Sequence, residues 1–202
     1  MKITTVIFDY GKVLGTDSNE WSTTFKDIVE MTGFSPKELD EIFNRDWDKF
    51  KSDQLDLSFF WDEVCEKSTK TVKREDLEKV YEEKIGINQD VLEIAKELKK
   101  VGFRILVLAN ESRVGMDIKT RKFELDKIFD KIYGSAHIGL YKPNKEVFEY
   151  VLNDQNLKAE EVIFIDNLER NTFAAEELGI KGIVFKNAAQ LKEDLEKFGI
   201  KV

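Results

Sequence analysis

Read for its apolar and polar positions alone, the chain changes rhythm twice. It opens on Thr5-Val6-Ile7-Phe8, a run without polar alternation that stops on Asp9 and is followed two residues later by Gly11. Such a run predicts a strand buried on both faces that delivers Asp9 to the carboxyl edge of a parallel sheet. From residue 15 the spacing turns helical and stays so for about 75 residues. Trp21, Phe25, Ile28 and Val29 share one helical face, which Thr32-Gly33 closes. Ser35-Pro36-Lys37-Glu38 is a helix start: the hydroxyl caps, the proline lacks only an N–H that would be orphaned there, and Glu38 closes a capping box. Leu39, Ile42, Phe43, Trp47 and Phe50 follow at helical spacing, and Lys51 to Gln54 is a polar break. Ser58 is expected to cap a helix bearing Phe59, Phe60, Trp61 and Val64, and Leu77, Val80, Tyr81 and Ile85 mark one more.

At Asn88 helix and strand begin to alternate. Val91, Ile94, Ala95 and Leu98 form a helix face ended by Gly102, and a strand follows over 103–108. Helix is predicted from about Met116 to Asp126, a short strand over 131–134, and helix from Asn144 to Leu152. Next come a strand from Val162 to Ile165, a helix from about Asn171 to Leu178, a strand over 182–185 and a last helix to Phe198. Repeated βα units imply an α/β fold, a parallel sheet with helices on both faces joined by right-handed crossovers. The expected domains are an α/β core of residues 1–14 and 88–202, interrupted by a helical insertion of residues 15–87.

Composition narrows the partners. Charged residues make up 36% of the 202 and the net charge is −8, which disfavours a nucleic-acid backbone but not a divalent cation, whose binding depends on local carboxylates. No window approaches the roughly 18 apolar residues of a membrane helix, and no signal-peptide pattern precedes the first strand. The single cysteine, Cys65, excludes an internal disulfide and any CxxC motif. A cytoplasmic protein without nucleic-acid or membrane partners is expected, as a monomer or a homodimer. Helical spacing accounts for Cys65 and the aromatics of the insertion as core packing.

The polar groups at the predicted strand ends carry the chemistry. Asp9 follows the first strand, Asn110, Glu111 and Ser112 the second, and Asp166 with Asn167 the fourth. In a parallel sheet these ends converge on one crevice. Two carboxylates meeting there repel unless a cation lies between them, so a hard ion such as Mg²⁺ is the natural third party, with the Gly11 carbonyl as a further oxygen. Lys142, in the loop Gly139-Leu140-Tyr141-Lys142-Pro143, is placed to reach the same crevice. His137, just after a short strand, reads as structural.

These stretches resemble the haloacid dehalogenase-like (HAD) hydrolases. Val6 to Leu14 is similar to the family's first motif, Leu106 to Asn110 to the second, Lys142-Pro143 with the following helix to the third, and Phe164-Ile165-Asp166-Asn167 through Asn171 to the fourth. The four occur in order across essentially the whole chain, with the insertion where the family carries its C1 cap. The resemblance is nearest to the capped sugar-phosphate phosphatases whose first motif reads D-x-G-x-V, and it implies a Rossmann-like core. It further implies a Mg²⁺-dependent phosphomonoester hydrolase acting on a small phosphorylated metabolite. Asp9 would be the nucleophile that forms an aspartyl-phosphate, and Lys142 a fixed positive charge. Asp9, the Gly11 carbonyl, Asp166 and Asn167 would hold the metal, Asn110 and Ser112 would meet the phosphoryl group, and Asn171 would orient Asp166.

Two positions depart from the family pattern. Gly11 stands where most of its phosphatases carry an acid-base aspartate, a function typically worth about 10²–10⁴-fold. Ala109 replaces a hydroxyl residue whose charge-assisted hydrogen bond is worth roughly 1.5–3 kcal/mol. A slow or narrow enzyme is expected, with Glu111 and Asp17 as candidate acid-base groups. Two alternatives stand beside it: a catalytically impaired binding protein that keeps the fold, and a metal-independent haloacid dehalogenase. Substrate contacts from the insertion are expected at Lys51–Gln54 and at Asp17-Ser18-Asn19.

Overall fold

The computed structural model describes residues 2–16 and 23–202. Five strands, β1 (Thr5–Phe8), β2 (Arg104–Ala109), β3 (Lys131–Gly134), β4 (Val162–Asp166) and β5 (Lys181–Val184), form one sheet in the order β3-β2-β1-β4-β5. Every pairing is parallel. The most apolar run takes the centre: all four residues of β1 are buried, and Phe8 lies opposite Val107 on one side and Ile165 on the other. This register sets Asp9, one residue further on, beside Asp166.

Alternate side chains leave the sheet in opposite directions, so each strand feeds two apolar layers. Val6, Phe8, Ile105, Val107, Ile163 and Ile165 belong to one cluster, with Val91, Ile94 and Leu98 of a helix over Gln89–Lys100 and Leu191 and Leu195 of one over Ala188–Lys197. Ile7, Leu106, Leu108 and Phe164 belong to the other, with Val147, Phe148 and Val151 of a helix over Lys145–Asp154 and Ala174 and Ala175 of one over Glu169–Glu176.

Between β1 and β2 run α1 (Lys26–Thr32), α2 (Pro36–Lys51), α3 (Ser58–Lys67), α4 (Arg74–Lys84) and α5, the helix over Gln89–Lys100. Helices α1 to α4 enclose an apolar cluster of their own, which includes Phe25, Ile28, Phe43, Phe60, Trp61 and Tyr81. The chain leaves and re-enters the sheet region side by side: Gly15 bridges Ile87 in antiparallel fashion, and Asn88 N–H donates to the Leu14 carbonyl at 2.7 Å. A Cβ on Gly86 would come within 2.2 Å of the Thr16 hydroxyl, so a larger residue there would force Thr16 to shift.

After β2 follow α6 (Arg113–Phe123), α7 (Leu125–Ile128), α8 (Ser135–Ile138), α9 (Lys145–Asp154), α10 (Glu169–Glu176) and α11 (Ala188–Lys197). Helix α6 carries the joint to the helical cluster. Its Ile118 and Phe123 pack against that cluster, and Lys122 Nζ donates to the carbonyls of Glu82, Glu83 and Ile85 at the end of α4.

Several element boundaries differ from the pattern for local reasons. The capping box at Ser35 and Glu38 forms, with donation in both directions. Ser58 is instead the first residue of α3, and its N–H is taken by the Asp56 carboxylate at 2.8 Å. The single helix expected from Met116 to Asp126 breaks at Glu124, whose φ of 50° ends α6 and opens α7. Helix α10 starts at Glu169, two residues before Asn171. Trp21 lies outside the described residues.

Candidate active site

A cleft of ≈ 290 Å³ opens at the carboxyl edge of the sheet. Asp9, Gly11, Asn110, Lys142, Asn167 and Asn171, all singled out from the sequence, line it. Asp9 is fixed by the strand that ends on it, its N–H donating to the Ile165 carbonyl at 2.8 Å. Asp166, fully buried, lies beside it, and Lys142 Nζ spans the two, donating to Asp9 Oδ1 at 2.5 Å and to Asp166 Oδ2 at 2.7 Å. The Phe164 ring is 5.3 Å from the same ammonium.

Each of these groups is held from behind. The Asn110 side chain accepts from Lys142 N–H at 2.9 Å and donates to the Lys142 carbonyl at 2.8 Å, so it grips the lysine's own peptide. Asp166 Oδ1 accepts from Leu168 N–H at 2.8 Å and Oδ2 from Asn171 Nδ2 at 2.9 Å, placing Asn171 where the sequence puts it. Asn171 Oδ1 is buried without a hydrogen-bond partner.

Burial pushes the Asp9 carboxyl up to about 6; Lys142 opposes this and the Asp166 charge adds to it. Burial alone would lower the Lys142 ammonium, but the two carboxylates outweigh it and hold its pKa above the ordinary lysine value. The floor of the cleft thus carries two carboxylates against one ammonium, one positive charge short of balance.

Other expected residues fall elsewhere. Ser112, expected at the phosphoryl group, is a correction: its hydroxyl accepts from Gly115 N–H at 3.1 Å and caps α6, and it does not line the cleft. The orphaned donors of a helix start claim that oxygen first. The loop from Lys51 to Gln54 does not line the cleft either. Lys51 stands 4.4 Å over the Tyr141 ring, and Asp53 pairs with Arg113 through two hydrogen bonds of 2.7 and 3.1 Å. Asp17, Ser18 and Asn19 lie outside the described residues. His137 bonds Asp117 at 2.9 Å, away from the cleft. Ala109 belongs to an apolar cluster under the sheet.

Five further lining residues are not signalled as site residues by the pattern: Lys12, Trp47, Lys119, Leu168 and Arg170. Lys119 is buried, pairs with Glu111 and lies 4.8 Å from the Tyr10 ring centroid. Glu111 also accepts from Ser112 N–H at 3.0 Å. That carboxylate folds back over the first turn of α6, where a Cβ on Gly115 would stand 2.5 Å from Glu111 Oε1. The glycine three residues into α6 was the available signal. Trp47, half-buried and stacked on Phe43, is the one residue of α1 to α4 that lines the cleft among the described residues.

The donor set suits a hard divalent cation. It offers carboxylate, amide and peptide oxygens, an excess negative charge, and one buried amide oxygen with nothing to bond. Among the described residues no three His, Cys, Asp or Glu side chains cluster as a self-sufficient metal site, so the ligands would include Gly11, Asn167 or Asn171 oxygens beside the two aspartates.

Residues 6–185 match the family model described as haloacid dehalogenase-like hydrolase. Bifunctional epoxide hydrolase 2 of Rattus norvegicus is 28% identical over 148 residues, 67% of this chain. The chain spans only about a quarter of that relative's length, 27%. The sesquiterpene phosphatase astK of Aspergillus oryzae is 27% identical over 182 residues, covering 88% of this chain and 87% of the relative. A HAD family enzyme of Bacteroides thetaiotaomicron, solved in complex with magnesium and inorganic phosphate, superposes with a TM-score of 0.73 at 24% identity, over 91% of this chain and 94% of that one.

Proposed function

The chain belongs to the haloacid dehalogenase-like hydrolases, and we propose that within them it is a Mg²⁺-dependent phosphatase of small phosphomonoesters, with residues 1–14 and 88–202 as its catalytic domain and 15–87 as its cap. One observation carries this: Lys142 joins Asp9 to Asp166 at the floor of a cleft and leaves the trio with one negative charge uncompensated. A phosphatase relative of similar length and a neighbour crystallised with magnesium and phosphate agree with it.

Asp9 Oδ1 is occupied by the Lys142 ammonium, so Oδ2, the oxygen nearer Gly11, is the attacking atom. Its lone pair forms the bond to phosphorus as the ester P–O bond breaks, and the leaving oxygen takes a proton. Water then attacks the aspartyl-phosphate, a proton departs, and inorganic phosphate and Asp9 are regenerated. Lys142 holds its positive charge where negative charge accumulates. Asn110 fixes the peptide of that lysine, and Asn171 fixes the Asp166 carboxylate. A Mg²⁺ ion held by Asp9, Asp166, the Gly11 carbonyl and Asn167 would neutralise phosphoryl oxygens. With no side chain at Gly11, the proton falls to the Glu111–Lys119 pair, the other ionisable couple lining the cleft among the described residues.

The test is phosphate release from a panel of sugar, nucleotide and aromatic phosphates, with Mg²⁺ and with chelator, beside an Asp9→Asn control. Metal-dependent release above that control is expected. Its absence on every substrate points to the impaired binding protein, and chelator-resistant activity on a haloacid to the dehalogenase.

A further inference from the structure

Four bases line the cleft, Lys12, Lys119, Lys142 and Arg170, against Asp9 and Glu111 on its wall and Asp166 at its floor, in a chain whose net charge is −8. Lys142 is committed to Asp9 and Asp166, and Lys119 to Glu111. Lys12 and Arg170 are exposed, and among the described residues neither has an ion-pair partner.

Their positions are specific. Lys12 is on the turn after β1 and Arg170 in the first turn of α10 after β4, so they flank the two strands that end on Asp9 and Asp166. Lys12 has a φ of 58°, a left-handed backbone a lysine rarely takes, so the turn and not side-chain preference sets where it departs. Trp47 and Leu168 add apolar surface to the lining. A volume of ≈ 290 Å³ equals about ten waters, room for a compact molecule.

Resting on the phosphatase reading, we propose that the substrate carries a second anionic group, a carboxylate or a second phosphate, at the end remote from the phosphoryl group that is cleaved, and that Lys12 and Arg170 receive it. In a protein of net negative charge, two unpaired cations at the mouth select for an anion on the part of the substrate that stays outside the reaction centre.

Two matched pairs of substrates test this: 3-phosphoglycerate against glycerol 3-phosphate, which differ by a carboxylate, and glucose 1,6-bisphosphate against glucose 6-phosphate, which differ by a phosphate. With Mg²⁺ in excess, the wild type should favour the more anionic member of at least one pair by about tenfold in kcat/KM, mainly through KM. Which pair shows the preference identifies the anion. The Lys12→Gln/Arg170→Gln double variant should bring the ratio to within about twofold, and raising the ionic strength from about 0.05 to 0.5 M should shrink it in the wild type. Because a ratio is read, loss of folded enzyme does not alter the outcome. Equal kcat/KM within both pairs, or a preference that survives in the double variant, overturns the inference while leaving the phosphatase reading intact. A wild type that hydrolyses none of the four, nor p-nitrophenyl phosphate, overturns both.

Discussion

Two clusters of charge in this molecule use the same side chains to opposite ends. At the sheet edge, Asp9 and Asp166 share Lys142, all three buried. Between α2 and α3, Asp46 and Glu63 share Arg45, Lys49 and Lys67, whose charged ends reach solvent. The first cluster is one cation short and the second has one to spare. Burial pushes Asp9 up to about 6, whereas hydrogen bonds from Arg45 and Lys67 bring Glu63 down to about 2. Desolvation and the supply of cations decide the sign together. Asp9 shares one lysine with a second buried carboxylate and resists its charge until a ligand compensates it, whereas Asp46, as little exposed as Asp9, meets both Lys49 and Arg45 and is held below the usual carboxylate value. The carboxylate that resists its charge is the one where chemistry is proposed.

Asp9→Asn breaks this contrast most sharply. Turnover should fall by about four orders of magnitude or more, because the nucleophile is gone. Stability should move the other way. A buried carboxyl whose pKa is raised from 3.8 to about 6 binds its proton more tightly when folded, so its contribution to stability is present below pH 3.8 and lost as the pH rises through about 6. Removing it should therefore raise the stability of metal-free protein at pH 7 by on the order of 2 kcal/mol. Denaturant melts of both proteins at pH 5 and pH 7.5 measure it; a variant less stable than wild type at the higher pH contradicts the account.

Lys142→Met removes the ammonium that joins two buried carboxylates and should cost about 3–5 kcal/mol, less below pH 6 where Asp9 takes up a proton. The counterpart change in the surface cluster, Lys67→Met, should cost no more than about 1 kcal/mol, since Glu63 keeps Arg45 and water. Equal losses in the two variants would erase the distinction between the sites.

The pH dependence of the surface cluster is the next smaller effect. Glu63 has a folded pKa below its unfolded value, so its contribution is present above pH 4.5 and disappears as the pH falls toward about 2. Subtracting the melting profile of Glu63→Gln from that of wild type should give a difference of less than about 1 kcal/mol that vanishes in this acid window. The corresponding difference for Asp9→Asn has the opposite slope and lies between pH 3.8 and about 6.

How far these sites were legible in the sequence follows the same division. A strand buried on both faces can be read from an unbroken apolar run, and parallel pairing then sets Asp9 next to Asp166 whatever the intervening 156 residues do. Lys142 is legible from its loop before a helix together with the third motif of the resemblance, and Asn171 from the fourth motif alone. Lys12, Trp47, Lys119, Leu168 and Arg170 are not legible as cleft residues because lining a cleft depends on where a side chain departs, and helical periodicity reports only burial. Ser112 and Ser58 were misassigned for a shared reason: at a helix start several oxygens compete for a few donors, and the winner is settled by backbone geometry, Ser112 capping α6 while Asp56 takes the donor near Ser58.

The smallest expected effect concerns the contact between the two regions. Asp53 and Arg113 tie the end of α2 to the start of α6, and Arg113 also donates to the Ala136 carbonyl at 2.9 Å. Asp53 sits at φ 60°, in the left-handed region that glycine and asparagine tolerate best. Asp53→Ala would mix two changes, loss of the ion pair and a side chain less suited to that backbone. Asp53→Asn keeps the backbone preference and removes only the charge, so it should lower stability slightly, and the deficit should disappear in about 0.5 M salt, where the wild-type pair is itself screened. Asp53→Gly relaxes the backbone and should recover part of what the lost pair contributes. Lys51, the last residue of α2 before the loop that holds Asp53, approaches the ring of Tyr141, the residue before Lys142. If that loop steadies the lysine, Asp53→Asn raises KM at low salt and not at high salt; a kinetic change independent of salt would mean that charge is not what holds the two regions together.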